Sequence, residues 1–341
     1  MADWREQLAV GQVIPACPLM LNEDGTWSQR HQRGLVRYYC DAGAGGLAVG
    51  VHTTQFAIRD PAHALYRPIL ELVARELDQR SESSFIRVAG VCGVTEQALQ
   101  EAKLAADLGY HAGLLTTNAI RDWSEDEILQ HCQAVSEVIP VFGFYLQPGI
   151  GGREFSYDYW RKFCEIPNVV AIKIAAFNRY QTLDVIRAVI ESGREDISIY
   201  TGNDDNIVND LLTTFTFSGQ SRLIVGGLLG QWAVWTQAAV AMLNEIKAVR
   251  RSDTIPAQWL TANATLTDAN AAIFDAANGF AGCVPGVNEV LRRSGLAPSS
   301  RCLDPEEVLS PGQSELLDRV TQENQSDEEF IAANLERWLT P

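Results

Sequence analysis

One alternation constrains this chain more than any other feature. Eight short apolar runs recur along it, at Val13–Cys17, Leu47–Val51, Phe85–Val91, Ala112–Leu115, Val141–Tyr145, Val169–Ile174, Ile197–Tyr200 and Leu223–Val225. Helical patterns separate them: Ser28–Ala42, Pro61–Asp78, Thr95–Leu108, Glu125–Val138, Ser156–Glu165, Tyr180–Glu191, Asn206–Thr216 and Gln231–Arg250. In Pro61–Asp78 the apolar residues Leu65, Ile69, Leu72, Val73 and Leu77 fall on one helical face. Thr95 reads as an N-cap, and Ser124 with Glu127 as a capping box. Strand and helix in strict alternation imply parallel strands joined by right-handed crossovers. An open doubly wound sheet and a closed barrel both satisfy that pattern. The repeat spans roughly 240 residues, near the ~250 of a typical barrel. The expected fold class is therefore α/β, a (β/α)8 TIM barrel over residues 1–250. Beyond Arg250 the alternation stops. Pro256–Asn278, Pro285–Ser294, Ser314–Glu323 and Asp327–Leu339 read as helices. Residues 251–341 are thus expected to form a C-terminal helical extension, with its acidic end solvated.

Composition narrows the function classes. Of 341 residues 46% are hydrophobic and 21% charged, enough for a real core. The net charge of −16 opposes a phosphate backbone and an anionic bilayer, so no nucleic acid and no membrane are expected as partners. It leaves anionic small molecules open, because a local site can differ from the global field. The most apolar stretch, Leu223–Leu243, is broken by Gln231 and Gln237 and is too polar to span a bilayer. The start, Trp4–Arg5–Glu6, is mixed in charge, unlike a signal peptide. Seven scattered cysteines with no Cys-x-x-Cys pair fit a reduced, cytoplasmic protein and no thiolate zinc site. The five histidines lack metal spacing, so no metal and no cofactor are expected. Gly43–Ala44–Gly45–Gly46 imitates a dinucleotide fingerprint, but here a helix precedes it and a strand follows, the reverse of the required order.

Lys173 carries the chemical information. It sits in Val169–Ile174, a run otherwise apolar, where an unpaired ammonium is costly. One reading puts it at a strand end, snorkelling outward. The other puts it at the barrel mouth as an amine nucleophile. An apolar pocket lowers a lysine pKa; a drop of about three units corresponds to about 4 kcal/mol and frees much of the amine at neutral pH. A neutral amine attacks a ketone to form an imine. Tyr145 ends the preceding strand run. Strand ends share the catalytic face of a barrel, so Tyr145 and Lys173 are expected in one cavity, where a phenol can move protons. Taken alone, Tyr145 reads more readily as a strand-end tyrosine that anchors a loop. Thr53 and Thr54 follow the second run and can donate hydrogen bonds to a carboxylate.

These motifs, in this order, resemble the dihydrodipicolinate synthase/N-acetylneuraminate lyase family of pyruvate-dependent class I aldolases and lyases. The resemblance covers about residues 8–300. It rests on a Pro-containing first strand followed by Asn22–Glu23–Asp24–Gly25, then Thr53–Thr54, Tyr145-x-x-Pro148, Lys173, Gly202–Asn203–Asp204 after the seventh strand and Gly226–Gly227 after the eighth. It implies Lys173 as the Schiff-base lysine, Tyr145 and Thr54 as catalytic proton-relay residues, and Thr53, Thr54, Gly202 and Gly227 in substrate binding. It implies a small-molecule 2-oxo acid as the partner and a homo-oligomer, dimer or tetramer.

The chain also departs from that family. The Gly-Thr-Thr-Gly-Glu motif reads His52-Thr53-Thr54-Gln55-Phe56. Thr117-Asn118-Ala119-Ile120 replaces the tyrosine pair of the synthases. The arginine expected just after Tyr-x-x-Pro is displaced to Arg153, behind a glycine-rich loop. The imine-forming set is kept and the second-substrate set is changed. The expected function is carbon–carbon bond cleavage or formation on pyruvate or a related 2-oxo acid. The alternatives are dihydrodipicolinate synthase proper, a 2-oxo-3-deoxy sugar acid dehydratase, and a non-catalytic 2-oxo-acid-binding barrel.

Overall fold

Most of the apolar runs become strands because they are buried on both faces, as parallel strands flanked by helices must be; in the last run only Ile224 is fully buried. The computed structural model describes residues 3–80, 84–322 and 326–340. In chain order its elements are α1 (Trp4–Val10), β1 (Val13–Pro15), α2 (Gln29–Asp41), β2 (Gly46–Val49), α3 (Tyr66–Arg80), β3 (Ile86–Val91), α4 (Thr95–Asp107), β4 (Ala112–Leu115), α5 (Glu125–Ser136) and β5 (Val141–Leu146). They continue with α6 (Tyr157–Phe163), β6 (Val169–Ala175), α7 (Arg179–Ser192), β7 (Ser198–Thr201), α8 (Ile207–Leu212), β8 (Thr214–Phe217), β9 (Gln220–Leu229) and α9 (Thr236–Val249). Four more helices follow: α10 (Gln258–Ile273), α11 (Cys283–Arg293), α12 (Gln313–Gln322) and α13 (Ser326–Leu339).

Eight strands run parallel in the order β1-β9-β7-β6-β5-β4-β3-β2. Ala16 pairs with Ala48, and the Cys17 N–H donates to the Ala48 carbonyl at 2.8 Å, which brings the first strand back to the second and nearly closes the ring. The fold is a TIM barrel with helices between its strands.

Three local expectations need correction. The helix read over Asn206–Thr216 ends at Leu212, and Thr214–Phe217 instead forms β8, an antiparallel partner of β9. The alternating Thr-Phe-Thr-Phe with Ser218–Gly219 at a positive-φ turn makes a hairpin there. Gly226–Gly227 lies within β9, not after it. Thr95 is the first helical residue of α4, and its hydroxyl pairs with His131 Nδ1 at 2.9 Å. The capping box is present: the Ser124 N–H donates to Glu127 Oε2 at 2.8 Å, and Ser124 Oγ accepts from the Glu127 N–H at 3.3 Å.

The core has two layers. One fills the barrel, with Ile14, Val88, Leu114, Phe142, Phe144, Leu146 and Tyr200 among its members. The other lies between strands and helices and includes Tyr145, Trp160, Ile172 and Ile174. Helix α1 reaches the barrel interior from one end, where Tyr200 Oη donates to the Leu8 carbonyl at 2.8 Å.

The C-terminal helices are docked, contrary to the expected solvated end. Trp338 is fully buried against Tyr38 and Phe330. Arg37 bridges Glu76 and the Trp338 carbonyl. Asp327 accepts from Tyr38 Oη at 3.0 Å and from the backbone N–H groups of Gln237 and Ala238 at the start of α9. The expected helix end Glu323 lies outside the described residues.

Candidate active site

The cavity opens where barrel catalytic sites occur, at the C-terminal ends of the strands. Its walls include Thr53, Phe144, Lys173, Gly202 and Asp204, and the segment after α10 contributes Phe274, Phe280 and Cys283. Its volume is about 60 Å³, on the order of four water-sized spheres, which is room for a unit of a few heavy atoms.

Lys173 points inward from β6. Its ammonium lies 4.3 Å from the centre of the Phe144 ring, on the opposed residue of β5. Burial moves its pKa from 10.5 down to about 8, and the nearby Asp204 carboxylate pulls it partly back. Asp204 shows the converse: burial raises its pKa from 3.8 to about 7, while Lys173 pulls it down. The two titrate as a pair. Asp204 Oδ1 is buried without a hydrogen-bond partner. His52 is held neutral, its pKa lowered to about 4 by burial and then by Lys173. Gln147 Nε2 is a second buried polar atom of the cavity without a partner.

The loop that carries Asp204 is rigidly held. Asp210, fully buried at the start of α8, accepts from Thr201 Oγ1 at 2.7 Å and Asn203 Nδ2 at 2.9 Å, and pairs with Arg179. Between these lies Gly202. A Cβ there would stand 2.4 Å from Lys173 Cε and 3.0 Å from the Ala175 Cβ. The glycine is what leaves space for the lysine side chain.

Not every expected residue reaches the cavity. Tyr145 does not join Lys173. Its ring packs against Phe155 and Trp160 in the outer layer, and its hydroxyl accepts from the Phe155 N–H at 3.4 Å. Phe144 takes the inward position. Thr53 lines the cavity, with its hydroxyl donating to the Ala16 carbonyl at 2.8 Å. Thr54 lies behind it: its Oγ1 donates to the Cys17 carbonyl at 2.6 Å and accepts from the Gly50 and Val51 N–H groups. Gly202 is at the site, whereas Gly227 packs under Trp232, where a Cβ would lie 2.6 Å from the indole. Arg153 faces away, donating to the Arg121 and Trp123 carbonyls. Asp204 is the residue that sequence reasoning underused. It stood in the Gly202–Asn203–Asp204 motif, but nothing in the spacing showed that its carboxylate meets the lysine.

The profile of the dihydrodipicolinate synthetase family matches residues 9–221. A 4-hydroxy-tetrahydrodipicolinate synthase of Halalkalibacterium halodurans is 26% identical over 212 residues, 60% of this chain and 66% of that protein. A synthase of the same name from Cyanothece is 25% identical, over 57% of this chain and 64% of its own. The alignments thus span slightly under two-thirds of the length of these relatives. Among solved structures, the pyruvate complex of Acinetobacter baumannii dihydrodipicolinate synthase superposes with a TM-score of 0.75 at 20% identity, covering 92% of this chain and 99% of that one. Fusobacterium nucleatum N-acetylneuraminate lyase gives 0.72 at 18% identity, over 93% and 99%. With well over half of its length matched by the family profile, the chain belongs to the dihydrodipicolinate synthetase family.

Proposed function

We propose that the protein is a Schiff-base-forming lyase or aldolase acting on pyruvate or a related 2-oxo acid. The observation that carries this is Lys173: a buried amine with a lowered pKa at the cavity wall. Binding alone does not call for such a group, since burying an amine is costly.

The residues suggest the steps. The neutral amine of Lys173 attacks the keto carbon of the 2-oxo acid. Asp204, protonated for part of the time near neutral pH, gives a proton to the departing hydroxyl and water leaves. The protonated imine then draws electrons from the C3–C4 bond. In cleavage, the Asp204 carboxylate takes the C4 hydroxyl proton, the aldehyde departs and an enamine remains; addition is the reverse. Thr53 and Gln147 line the same cavity as Lys173, and the unpartnered Gln147 Nε2 can donate to the substrate carboxylate. Thr54 and Tyr145 act as positioning residues, the first fixing the 50–54 turn and the second the segment before α6.

Synthesis of dihydrodipicolinate proper is disfavoured by the outward Arg153, since the carboxylate of a second substrate finds no guanidinium among the described residues of the cavity wall. A dimer or tetramer in the reducing cytoplasm belongs to the same proposal, and light scattering tests its assembly. The chemistry is tested by borohydride reduction with pyruvate present: pyruvate-dependent loss of titratable amine supports it, and an unmodified folded protein rejects it.

A further inference from the structure

Gln55 stands where the Gly-Thr-Thr-Gly-Glu motif has its second glycine. The backbone keeps a glycine-like course there, with φ +68° and ψ +123°. Residues with a side chain rarely hold that conformation, and they do so only where the surroundings over-determine it. At Gln55 the surroundings do. Its N–H closes the 52–54 turn by donating to the His52 carbonyl at 2.9 Å, and its carbonyl accepts from the Ile58 N–H at 3.2 Å. The side chain is 5% exposed, and its Oε1 accepts from the Leu303 N–H at 2.6 Å. Nε2 has no partner. A glycine would follow the same backbone without strain. What the glutamine adds is therefore its bond to Leu303.

Leu303 belongs to the stretch that crosses from α11 to α12, and that stretch is pinned on either side of it. Before it, Ser299 Oγ donates to the Leu21 carbonyl at 2.6 Å, in the segment that follows β1. After it, Ser310 Oγ donates to the Asp275 carboxylate. The same carboxylate accepts from the Gly282 N–H at 3.0 Å, next to Cys283 of the cavity wall. The turn is fastened as well. Thr53 Oγ1 donates to the Ala16 carbonyl at 2.8 Å and Thr54 Oγ1 to the Cys17 carbonyl at 2.6 Å. Three consecutive side chains thus tie one turn down. Thr53 and Thr54 tie it to the end of the first strand, and Gln55 ties it to the C-terminal stretch. Among the described residues of the cavity wall Thr53 is present and Gln55 is not, so Gln55 can reach a bound substrate only through the turn.

We infer that Gln55 is a positioning residue: its bond to Leu303 locks the turn that carries Thr53 against the C-terminal stretch and so keeps the 2-oxo acid site beside Lys173 in its binding geometry. The inference rests on the Schiff-base reading above for the identity of the substrate. It accounts for a strained, buried glutamine at a position whose backbone suits glycine.

Two variants of the full chain separate the bond from the strain. Gln55→Gly removes both, and Gln55→Met removes the bond and keeps the strained side chain. Each is followed by hydrogen exchange of the peptide around Leu303 and by the rate of borohydride trapping against pyruvate concentration. Exchange at Leu303 is expected to quicken in both variants. The pyruvate concentration for half-maximal trapping is expected to rise about fivefold in both, the size of one net hydrogen bond, while the maximal trapping rate stays within twofold of the wild type. A purely structural role would lower the melting temperature and leave the half-maximal concentration unchanged. Gln55→Gly, which relieves the strain, is the variant expected to remain folded even if Gln55→Met does not. Unchanged exchange at Leu303 in Gln55→Gly, or faster exchange with an unchanged half-maximal concentration, overturns the inference. If the wild type is not trapped at all, the Schiff-base reading fails and the substrate role of Gln55 falls with it, whereas exchange at Leu303 still decides whether the tie exists.

Discussion

At the residue scale, Lys173 and Asp204 make opposing demands on the fold. A folded-state lysine pKa of about 8, against an ordinary 10.5, means that the native protein holds fewer protons than the unfolded chain between those values. Stability therefore rises with pH across that window, and below about pH 8 the full penalty of about 3 kcal/mol is present. Lys173→Met should abolish imine trapping and raise stability at pH 7 by ~1–3 kcal/mol, with the gain fading towards pH 10.5; urea melts at several pH values measure it. Asp204→Asn removes the carboxylate that holds the lysine pKa up. Its expected effect is an acid-shifted trapping profile, read as rate against pH, and a loss of aldol turnover of 10²–10⁴-fold, the usual size of a general acid–base contribution. Tyr145→Phe should change both rates only a few-fold, because its hydroxyl lies in the outer layer. A loss as large as that of Asp204→Asn would show that the phenol acts at the cavity after all.

At the element scale, periodicity made the strands and most helices legible. Which face each strand residue takes was not legible. β5 reads Val-Phe-Gly-Phe-Tyr-Leu with every residue buried, so no polar alternation marks its inner side, as expected of a strand covered on both faces. The β5–β6 pairing is irregular as well: Val141 pairs with Val169 and Phe142 with Ala171, leaving Val170 as the extra residue. A one-residue irregularity reverses the faces beyond it, and this is how Phe144 rather than Tyr145 comes to oppose Lys173. Gly202 was legible as a motif, but its steric purpose was not. Gly202→Ala should press on the lysine stem and lower trapping at least tenfold while the far-ultraviolet circular dichroism stays native. Normal trapping in that variant would mean that the loop gives way and that the glycine is not required.

At the scale of the whole molecule, the barrel was legible from its eightfold alternation, while the docking of the C-terminal helices was not. Their acidic composition suggested a solvated end. The fixing contacts are instead single residues far apart in sequence: Trp338 on Tyr38, the Trp338 carbonyl on Arg37, and Asp327 at the start of α9. The helices after α9 also supply Phe274, Phe280 and Cys283 to the cavity. Removing the chain beyond Ser310 exposes the surface under Trp338, and losing a buried tryptophan alone costs roughly 3–5 kcal/mol. The truncated protein should therefore melt well below the full chain in a thermal scan. An unchanged melting temperature would contradict this packing.

Whether Lys173 forms the imine is decided by peptide mapping after reaction with pyruvate and borohydride. The chain has four lysines, at 103, 162, 173 and 247, so the assignment is unambiguous. One reduced pyruvate adduct is expected, on the peptide that carries Lys173, and none in Lys173→Met. An unmodified Lys173 in folded protein, or an adduct on another lysine instead, would contradict it.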